Sequence, residues 1–255
     1  LKHMLYILNM NQIRLPASKL AACIGLNKYQ SIEDSIFELV NCRGMNTIEK
    51  LQLKNQLSEK SKNELCKALE LPQDSSLDII NSQLQKECYK TAKTNGDSQA
   101  FINKLTDTTL QSAITGEFNK KAGVVWEKKD LDRVEKKQDM KIEQRNSVMH
   151  HIIINLDEHT ELKITGRIDG YCPERDCIIE SKHRKSRLFR NVPEYEHVQC
   201  ELYMRMFNVS KVYHTETFGE DSIETIINKE DAYWNKILML IKTKFYPIYC
   251  QYKMN

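Results

Sequence analysis

The chain has 255 residues, of which 40% are hydrophobic and 29% are charged. This balance is typical of a globular protein and excludes the low hydrophobicity and high net charge of a disordered chain. The 38 basic and 35 acidic side chains give a formal charge of +3, which is too small to indicate nucleic-acid binding by itself, so local charge clusters must carry that argument.

The eight cysteines of the chain show no Cys-x-x-Cys spacing. A chain of this length can build an apolar core, so we expect reduced thiols in an intracellular compartment, the cytoplasm or the nucleus. Cys172 and Cys177 flank a predicted turn, but without a second ligand pair they do not favour a zinc site. No apolar run approaches the roughly 18 residues of a membrane span, so we expect no membrane association. Residues 1–11 lack the residue order of a secretory signal.

The N-terminal stretch predicts two short helices. In residues 15–29, Ser18 has the character of an N-cap and Gly25 that of a C-terminal stop. Ser31 then begins a second helix with an apolar face.

Residues 46–115 differ in amino-acid composition from the rest of the chain, since they are rich in Lys, Glu, Gln, Leu and Asn. Leucines keep an approximate helical period before and after a break at Pro72, which predicts several short helices. No heptad persists, so an autonomous coiled coil is not favoured. We expect a helical insertion or lobe over 46–115 within a single domain that spans 1–255. Its lysines are offset by glutamates, so its default interpretation is a solvated surface.

From about residue 110 onward, helices and strands alternate. A helix over 117–135 precedes an antiparallel meander of three predicted strands, over 151–156, 161–171 and 177–183. Three elements follow the meander: a helix over 193–207, a strand over 211–218 and a helix over 231–245. This order predicts an α/β (α+β) protein in which a mixed central β-sheet with an antiparallel meander is flanked by helices, plus the α-helical insertion.

The meander brings together residues that can carry chemistry. Side chains alternate along a strand, so Glu180 and Lys182 share one face, and the hairpin can bring Asp169 beside Glu180. Two converging carboxylates attract a hard dication such as Mg²⁺ or Mn²⁺, and an adjacent ammonium can act on a water or a phosphate. Phosphodiester hydrolysis needs these parts. A lone Glu-x-Lys pattern, by contrast, is usually a solvated strand edge.

Two further features lie C-terminal to this pattern. Five formal positive charges fall within residues 182–190, which indicates either a phosphate-tracking groove or a solvated basic loop. On the next helix, Glu196, Gln199 and Tyr203 share a face. The Gln and Tyr side chains there can hydrogen-bond the lysine, a water or a phosphate, although an ordinary helix surface is an equal alternative.

The order of these motifs resembles a known family, the PD-(D/E)xK nuclease superfamily. The resemblance rests on Asp169, Glu180-Ser181-Lys182 and Gln199. Residues 16–29, PASKLAACIGLNKY, are similar to the opening motif of the branch that holds lambda exonuclease, the YqaJ-type viral recombinases and the viral alkaline nucleases. The resemblance covers residues 14–40 and about 110–218, and it implies a restriction-endonuclease-like core.

What the resemblance implies is a metal-dependent deoxyribonuclease that uses Mg²⁺ or Mn²⁺. The first expectation is a 5′-to-3′ exonuclease on double-stranded DNA, acting in recombination, repair or replication of viral or phage-type DNA. A homo-oligomer and a single-strand annealing partner protein are also expected. Three alternatives stay open: an endonuclease or RNA-acting nuclease of the same fold, a catalytically inactive member that binds nucleic acid or protein, and an unrelated α/β domain.

Position by position, the resemblance implies that Asp169 and Glu180 bind metal, with the backbone carbonyl of Ser181 as a further ligand. Lys182 matches the catalytic lysine of the family, and Gln199 matches the helix glutamine beside it.

A further metal-binding glutamate of the family aligns here with Asn119. Glu117 lies about 200° away from that position on an ideal helix, and we expect it to take the place of the missing ligand. Ser18 matches a serine that holds a terminal phosphate, and Arg14 substitutes for an arginine ahead of it. The expected nucleic-acid contacts are Ser18, Arg14, Arg184, Lys185, Arg187, Arg190 and Tyr203.

Overall fold

The computed structural model describes residues 11–94 and 96–254. The expectation about a secretory signal concerns residues 1–11. Of these, only Asn11 lies within the described residues. Within 11–94 and 96–254, none of the helices combines the length and the apolar character needed to cross a bilayer.

The strands of the described residues form two sheets. In chain order they are β1 (Asn11–Pro16), β2 (His150–Asn155), β3 (Thr160–Gly166), β4 (Gly170–Cys172), β5 (Cys177–His183), β6 (Lys211–Phe218) and β7 (Asp221–Asn228). One sheet has the order β1-β3-β2, with β1 parallel to β3 and β2 antiparallel to it. The other has the order β4-β5-β6-β7, in which only the β5–β6 pair is parallel.

Helices surround these sheets. They are α1 (Ala17–Cys23), α2 (Ile32–Asn41), α3 (Thr47–Leu53), α4 (Glu59–Ala68), α5 (Leu77–Lys93), α6 (Gln99–Ile102), α7 (Thr108–Gln138), α8 (Glu194–Phe207), α9 (Asp231–Leu240) and α10 (Tyr246–Met254). A 3₁₀ turn, Pro173–Arg175, follows β4, and a π-helical turn, Ile241–Phe245, joins α9 to α10.

The α+β class, the meander and the flanking helices are confirmed. The predicted single central sheet is divided into two, because the predicted strand over 161–171 breaks at 167–169 between β3 and β4. The structure also corrects the cap of α1. Pro16 occupies the N-cap position, and Ser18 lies exposed in the first turn. Ser31 does cap α2, since its hydroxyl accepts the Asp34 N–H at 3.1 Å.

Helix α8 packs against strands of both sheets and thereby fixes them relative to each other. Its Val198 and Leu202 share one apolar cluster with Leu15 and Ile164 of the first sheet and with Ile178 of the second. All five side chains are buried. The helix that carries Gln199 is therefore held by the main core.

Helix α7 packs against β5 and joins the second sheet to the helical lobe. On the sheet side, Leu131 and Val134 contact a cluster that includes Ile179 and the cross-strand neighbours Cys172 and Cys177. The turn predicted between these two cysteines is confirmed, and it places them opposite each other on β4 and β5.

The helices α3 to α6 and the N-terminal half of α7 share an apolar cluster of their own, which includes Leu65, Ile80, Leu84 and Ile114. The Trp126 indole of α7 donates to the Ala92 carbonyl of α5 at 2.8 Å and ties the lobe to this long helix. That 46–115 is an insertion within a single nuclease domain stays a prediction.

Candidate active site

Asp169 stands in the short link between β3 and β4, directly beside β5. Its Oδ2 accepts the backbone N–H of Ser181 at 2.8 Å, and the next residue, Gly170, pairs with Ile179. A Cβ on Gly170 would lie 2.3 Å from Cγ2 of Ile142 and 3.6 Å from Cβ of Ile179, so only glycine fits this close approach. The Asp-Gly pair therefore combines a hydrogen-bonding carboxylate with the residue that lets it reach β5.

Glu180 and Lys182 lie on the same face of β5 and contact each other. The Lys182 Nζ donates to Glu180 Oε1 at 2.5 Å and to Gln199 Oε1 at 3.4 Å. Gln199 in turn donates from Nε2 to the Tyr203 hydroxyl at 2.9 Å. The structure thus brings together Asp169, Glu180, Lys182 and Gln199, the set that the sequence predicts as catalytic.

The electrostatics of this cluster show an excess of buried negative charge. Burial raises the pKa of Asp169 to about 6, and burial together with the charge of Asp169 raises the pKa of Glu180 to about 7. Burial alone would lower the pKa of Lys182, but the charges of Glu180 and Asp169 outweigh it and raise that pKa. The single positive charge of Lys182 is therefore too small to balance the two carboxylates of Asp169 and Glu180.

This donor set fits a hard divalent cation. Glu180 is 1% exposed, and its Oε2 is buried without a hydrogen-bond partner among the residues that the structure describes. A buried, unpaired carboxylate oxygen is costly, and a bound dication would satisfy it. Asp169 and Glu180 offer the oxygen ligands that Mg²⁺ and Mn²⁺ prefer.

A third carboxylate, Glu127 of α7, lies close enough to the cluster for its charge to act on Asp169. Asn146 Nδ2 donates to its two oxygens at 3.2 and 3.3 Å. Burial and the charge of Glu180 raise the pKa of Glu127, and Glu127 in turn raises the pKa of Asp169. Glu127 is not among the residues that the sequence predicts for the site.

Glu117 does not reach the site, which corrects the prediction that it is a metal ligand. Its carboxylate accepts hydrogen bonds from Thr47, Gln85 and Lys120 within the helical lobe. Ten residues separate it from Glu127, which places it about 15 Å away along the helix at 1.5 Å per residue. Helix α7 is continuous between these two glutamates, so the helix geometry holds Glu117 away from the site.

The chain resembles solved exonucleases. A phage-related exonuclease from Haemophilus somnus 129PT matches with 16% identity and a TM-score of 0.40, over 66% of this chain and 95% of that one. An alkaline exonuclease from Laribacter hongkongensis matches with 11% identity and a TM-score of 0.38, over 66% and 89%. The protein SSO0001 matches with 15% identity and a TM-score of 0.41, over 65% and 84%.

At these identities and TM-scores, the function of this chain is argued from the side chains of its own site. No family model matches the chain, and no curated protein matches it.

Two of the predicted nucleic-acid contacts are bonded within the protein instead, Arg184 with a side chain that is 10% exposed and Tyr203 buried. The Arg184 guanidinium donates to both carboxylate oxygens of Glu196 at 2.7 Å and to Glu216 at 2.5 Å. The Tyr203 side chain is 3% exposed and is held by Gln199. Both residues therefore serve the interior, because Arg184 pairs with two buried glutamates and the Tyr203 hydroxyl accepts from Gln199.

The other predicted contacts are at least partly accessible. Arg187, Arg190, Arg14 and Ser18 are exposed, and Arg14 donates to the side chain of its neighbour Gln12. The ammonium of Lys185 is half-buried and donates to the Gly96 carbonyl at 3.3 Å, so it bridges toward the lobe. Their roles in binding nucleic acid stay predictions.

Beside the site lies a second buried acidic group, formed by Glu196, His214 and Glu216. Arg184 already occupies it, and His214 Nε2 lies 2.8 Å from Glu196 Oε2. Burial alone would raise the pKa of Glu196, but His214 and Arg184 outweigh it and hold that pKa at about 2. The Arg184 guanidinium thus occupies the place where a metal ion would bind, so this group fits a metal ion less well than Asp169 and Glu180 do.

Proposed function

We propose that this protein is a Mg²⁺- or Mn²⁺-dependent deoxyribonuclease, and first of all a 5′-to-3′ exonuclease on double-stranded DNA. The observation that carries the proposal is the convergence of Asp169, Glu180 and Lys182. One buried carboxylate oxygen among them has no hydrogen-bond partner in the described residues 11–94 and 96–254. This combination of oxygen ligands and an ammonium suits metal-assisted phosphodiester hydrolysis.

In this proposal Asp169, Glu180 and the Ser181 carbonyl would hold the metal ion. A bound ion would supply Lewis-acid activation of a water and would neutralise negative charge on the phosphate. Glu127 of α7, whose charge acts on Asp169, replaces Glu117 as the additional carboxylate of the site.

Lys182 acts as a fixed positive charge beside the phosphate. Its pKa is raised rather than depressed: burial would lower it, but Glu180 and Asp169 prevail. The ammonium form is therefore favoured in this structure, and an ammonium beside the phosphate can stabilise anionic oxygens. Gln199 positions the ammonium by accepting its second hydrogen bond, and Tyr203 fixes the Gln199 amide.

The accessible cations provide contacts for the DNA backbone. Arg187 and Arg190 follow β5 directly, and Arg14 and Ser18 lie at the end of β1 and the start of α1. Contacts of this kind fix the register of a nucleic acid without reading its sequence. Assembly into a homo-oligomer and cooperation with a strand-annealing protein belong to the same proposal.

The test is incubation of the purified chain with linear, covalently closed circular and end-labelled duplex DNA, in Mg²⁺, in Mn²⁺ and in chelator. We expect metal-dependent loss of linear DNA, with release of a 5′ label before a 3′ label. Cutting of closed circles would instead establish an endonuclease, and preferential loss of an RNA duplex would establish an RNA-acting enzyme.

Two substitutions connect the activity to the site. Lys182→Ala should abolish cleavage and leave DNA binding in chelator largely intact, whereas Asp169→Ala should abolish cleavage and Mn²⁺ binding together. Isothermal titration with Mn²⁺ measures the second effect and also separates an active site from an inactive relative, which would bind the ion feebly. Turnover of either variant at the wild-type rate would remove the mechanism.

A further inference from the structure

An exposed groove with a volume of about 710 Å³ lies between the loop that follows β5 and the segment that follows α1. Three aromatic rings line it, those of Tyr29, Phe189 and Phe218, which are 72%, 37% and 38% exposed. We call it the aromatic groove and define it by the three rings and the three cations Lys28, Arg187 and Arg190. Asp221 is its one acidic lining residue within the described chain.

We propose that the aromatic groove binds an unpaired nucleic-acid strand, whose bases stack on the rings and whose phosphates contact the cations. The inference deepens the proposed function, on which it rests, by naming the form of substrate or product that the enzyme holds beside its site.

The loop that carries Phe189 is held in place by buried charges. Glu216 accepts the backbone N–H of Phe189 at 2.7 Å and that of Arg190 at 3.3 Å. Arg184, which is bonded to the same carboxylate, places its guanidinium 4.0 Å from the centroid of the Phe189 ring. Arg190 adopts a left-handed φ of +67°, which turns the loop back toward the body of the protein. The ring is thus positioned before any ligand binds.

Tyr29, on the other side of the groove, is also held. Its ring packs edge-on against Tyr195 of α8, with centroids 6.1 Å apart and an interplanar angle of 73°. The Lys28 ammonium lies 5.2 Å from the centroid of the same ring. A cation and an exposed aromatic face therefore stand side by side, which is the combination that single-strand binding surfaces use.

The chemistry favours an unpaired strand over a duplex. The bases of a duplex are stacked on each other, so a surface that tracks a duplex backbone needs cations and gains nothing from exposed rings. An unpaired strand offers free base faces, and stacking on aromatic side chains tolerates any sequence. Three cations against one carboxylate supply the charge complementarity for its phosphates.

The position of the groove connects it to the candidate active site. Residues 184–193 link β5, which carries Glu180 and Lys182, directly to α8, which carries Gln199. A nuclease that degrades one strand of a duplex leaves the other strand unpaired, and the aromatic groove offers a surface for unpaired nucleotides next to the catalytic elements.

The test is fluorescence anisotropy with a labelled oligothymidine and a labelled duplex of equal length, using the whole chain in chelator so that no cleavage occurs. Tyr29→Ala and Phe189→Ala should each weaken oligothymidine binding about tenfold, and duplex binding less than about twofold. Tyr89→Ala is the matched control, because that ring is 52% exposed on α5 in the helical lobe; it should change neither affinity.

Two further variants separate stacking from general charge. Tyr29→Trp should keep the wild-type affinity, and its indole emission should be quenched when oligothymidine binds. Arg187→Gln should reduce the slope of log affinity against log salt concentration by about 0.7 if it loses one phosphate contact.

Three results would overturn the inference: equal losses for oligothymidine and duplex, losses no larger than that of the Tyr89 control, or displacement of the oligothymidine by polyglutamate of matched length. Failure of the proposed function is distinguishable. If the chain cuts no DNA but its oligothymidine binding depends on the rings, the groove inference stands and the proposed function fails. If the chain cuts DNA but Tyr29→Ala binds oligothymidine as the wild type does, the proposed function stands and the groove inference fails.

Discussion

The contact between Lys182 and Glu180 shows how charge is distributed at the candidate site. The Lys182 ammonium donates a hydrogen bond to Glu180 Oε1 at 2.5 Å. Oε2 of the same side chain has no partner within the described chain. Burial and neighbouring charge also raise the pKa values of Asp169 and Glu127. Such an arrangement is costly without a ligand and becomes favourable when a dication binds.

Glu127 and Glu117, on the same helix, form a matched pair for substitution. Glu127→Gln should lower the cleavage rate by about a hundredfold, because it removes the charge of the additional carboxylate in the proposed metal site. Glu117→Gln should leave the rate within about twofold, since its partners Thr47, Gln85 and Lys120 belong to the lobe. Single-turnover cleavage of end-labelled duplex at saturating Mn²⁺ measures both. The reverse order of effects would restore Glu117 as the functional glutamate.

The sequence predicted some residues of the site and misplaced others for physical reasons. Glu180 and Lys182 were predictable because side chains alternate along a strand, a purely local rule. Arg184 looked like a free cation, because its partner Glu216 lies 32 residues further along the chain. Tyr203 looked like helix surface for a similar reason: the backbone of Gly166 approaches its ring so closely that a Cβ would lie 2.6 Å from Cε1.

At the scale of elements, the short strand β4 sets the position of Asp169. Its Gly170 touches Ile142, which is buried in the cluster between α7 and β5. The contact couples the packing of that cluster to the position of the Asp169 carboxylate.

Gly170→Ala should therefore destabilise the protein by about 1–3 kcal/mol, the range for an extra methyl in a packed core, and should lower the cleavage rate. Adding Ile142→Ala removes the side chain that the new methyl meets. A double-mutant cycle in urea should then give a favourable interaction of about 1–2 kcal/mol between the two changes, with part of the activity restored. Strictly additive effects would show that the glycine is not needed for this contact.

Some elements escaped prediction because their partners are distant in sequence. Strand β1 is six residues long and ends in a proline, and it is a strand because it pairs with β3, about 149 residues away. Strand β7 follows β6 through a turn at Gly219, which has a φ of +60°. Helix α7 begins at 108 instead of 117, because Asp107 caps it by accepting the N–H groups of Thr109 and Leu110.

At the scale of the whole molecule, the carboxylates of Asp169 and Glu180 link stability to pH. The pKa of Asp169, about 6, and that of Glu180, about 7, lie above their ordinary values of 3.8 and 4.5. Between about pH 4 and pH 7 the native state holds more protons than the unfolded state, so the free energy of unfolding falls as pH rises. This contribution is fully present below the ordinary values and is lost above the raised ones.

Asp169→Asn should weaken that pH dependence. In chelator at pH 8 the variant should be more stable than the wild type by about 1–2 kcal/mol, and the two should converge near pH 4. Its Asn oxygen can still accept the Ser181 N–H. Mn²⁺ should raise the melting temperature of the wild type more at pH 8 than at pH 5.5, and that of the variant very little. Thermal unfolding by circular dichroism measures both, and a variant less stable than the wild type at pH 8 would contradict the charge argument.

The buried network of Arg184, Glu196, His214 and Glu216 constrains how this sequence can drift over evolutionary time. Arg184 bridges two carboxylates. Replacing it alone would leave two buried negative charges without this cation and would lower the free energy of unfolding by about 3–5 kcal/mol, the range for a broken buried pair. Replacing either glutamate alone leaves the guanidinium short of a partner. In homologous chains these positions should therefore covary and be inherited as a set.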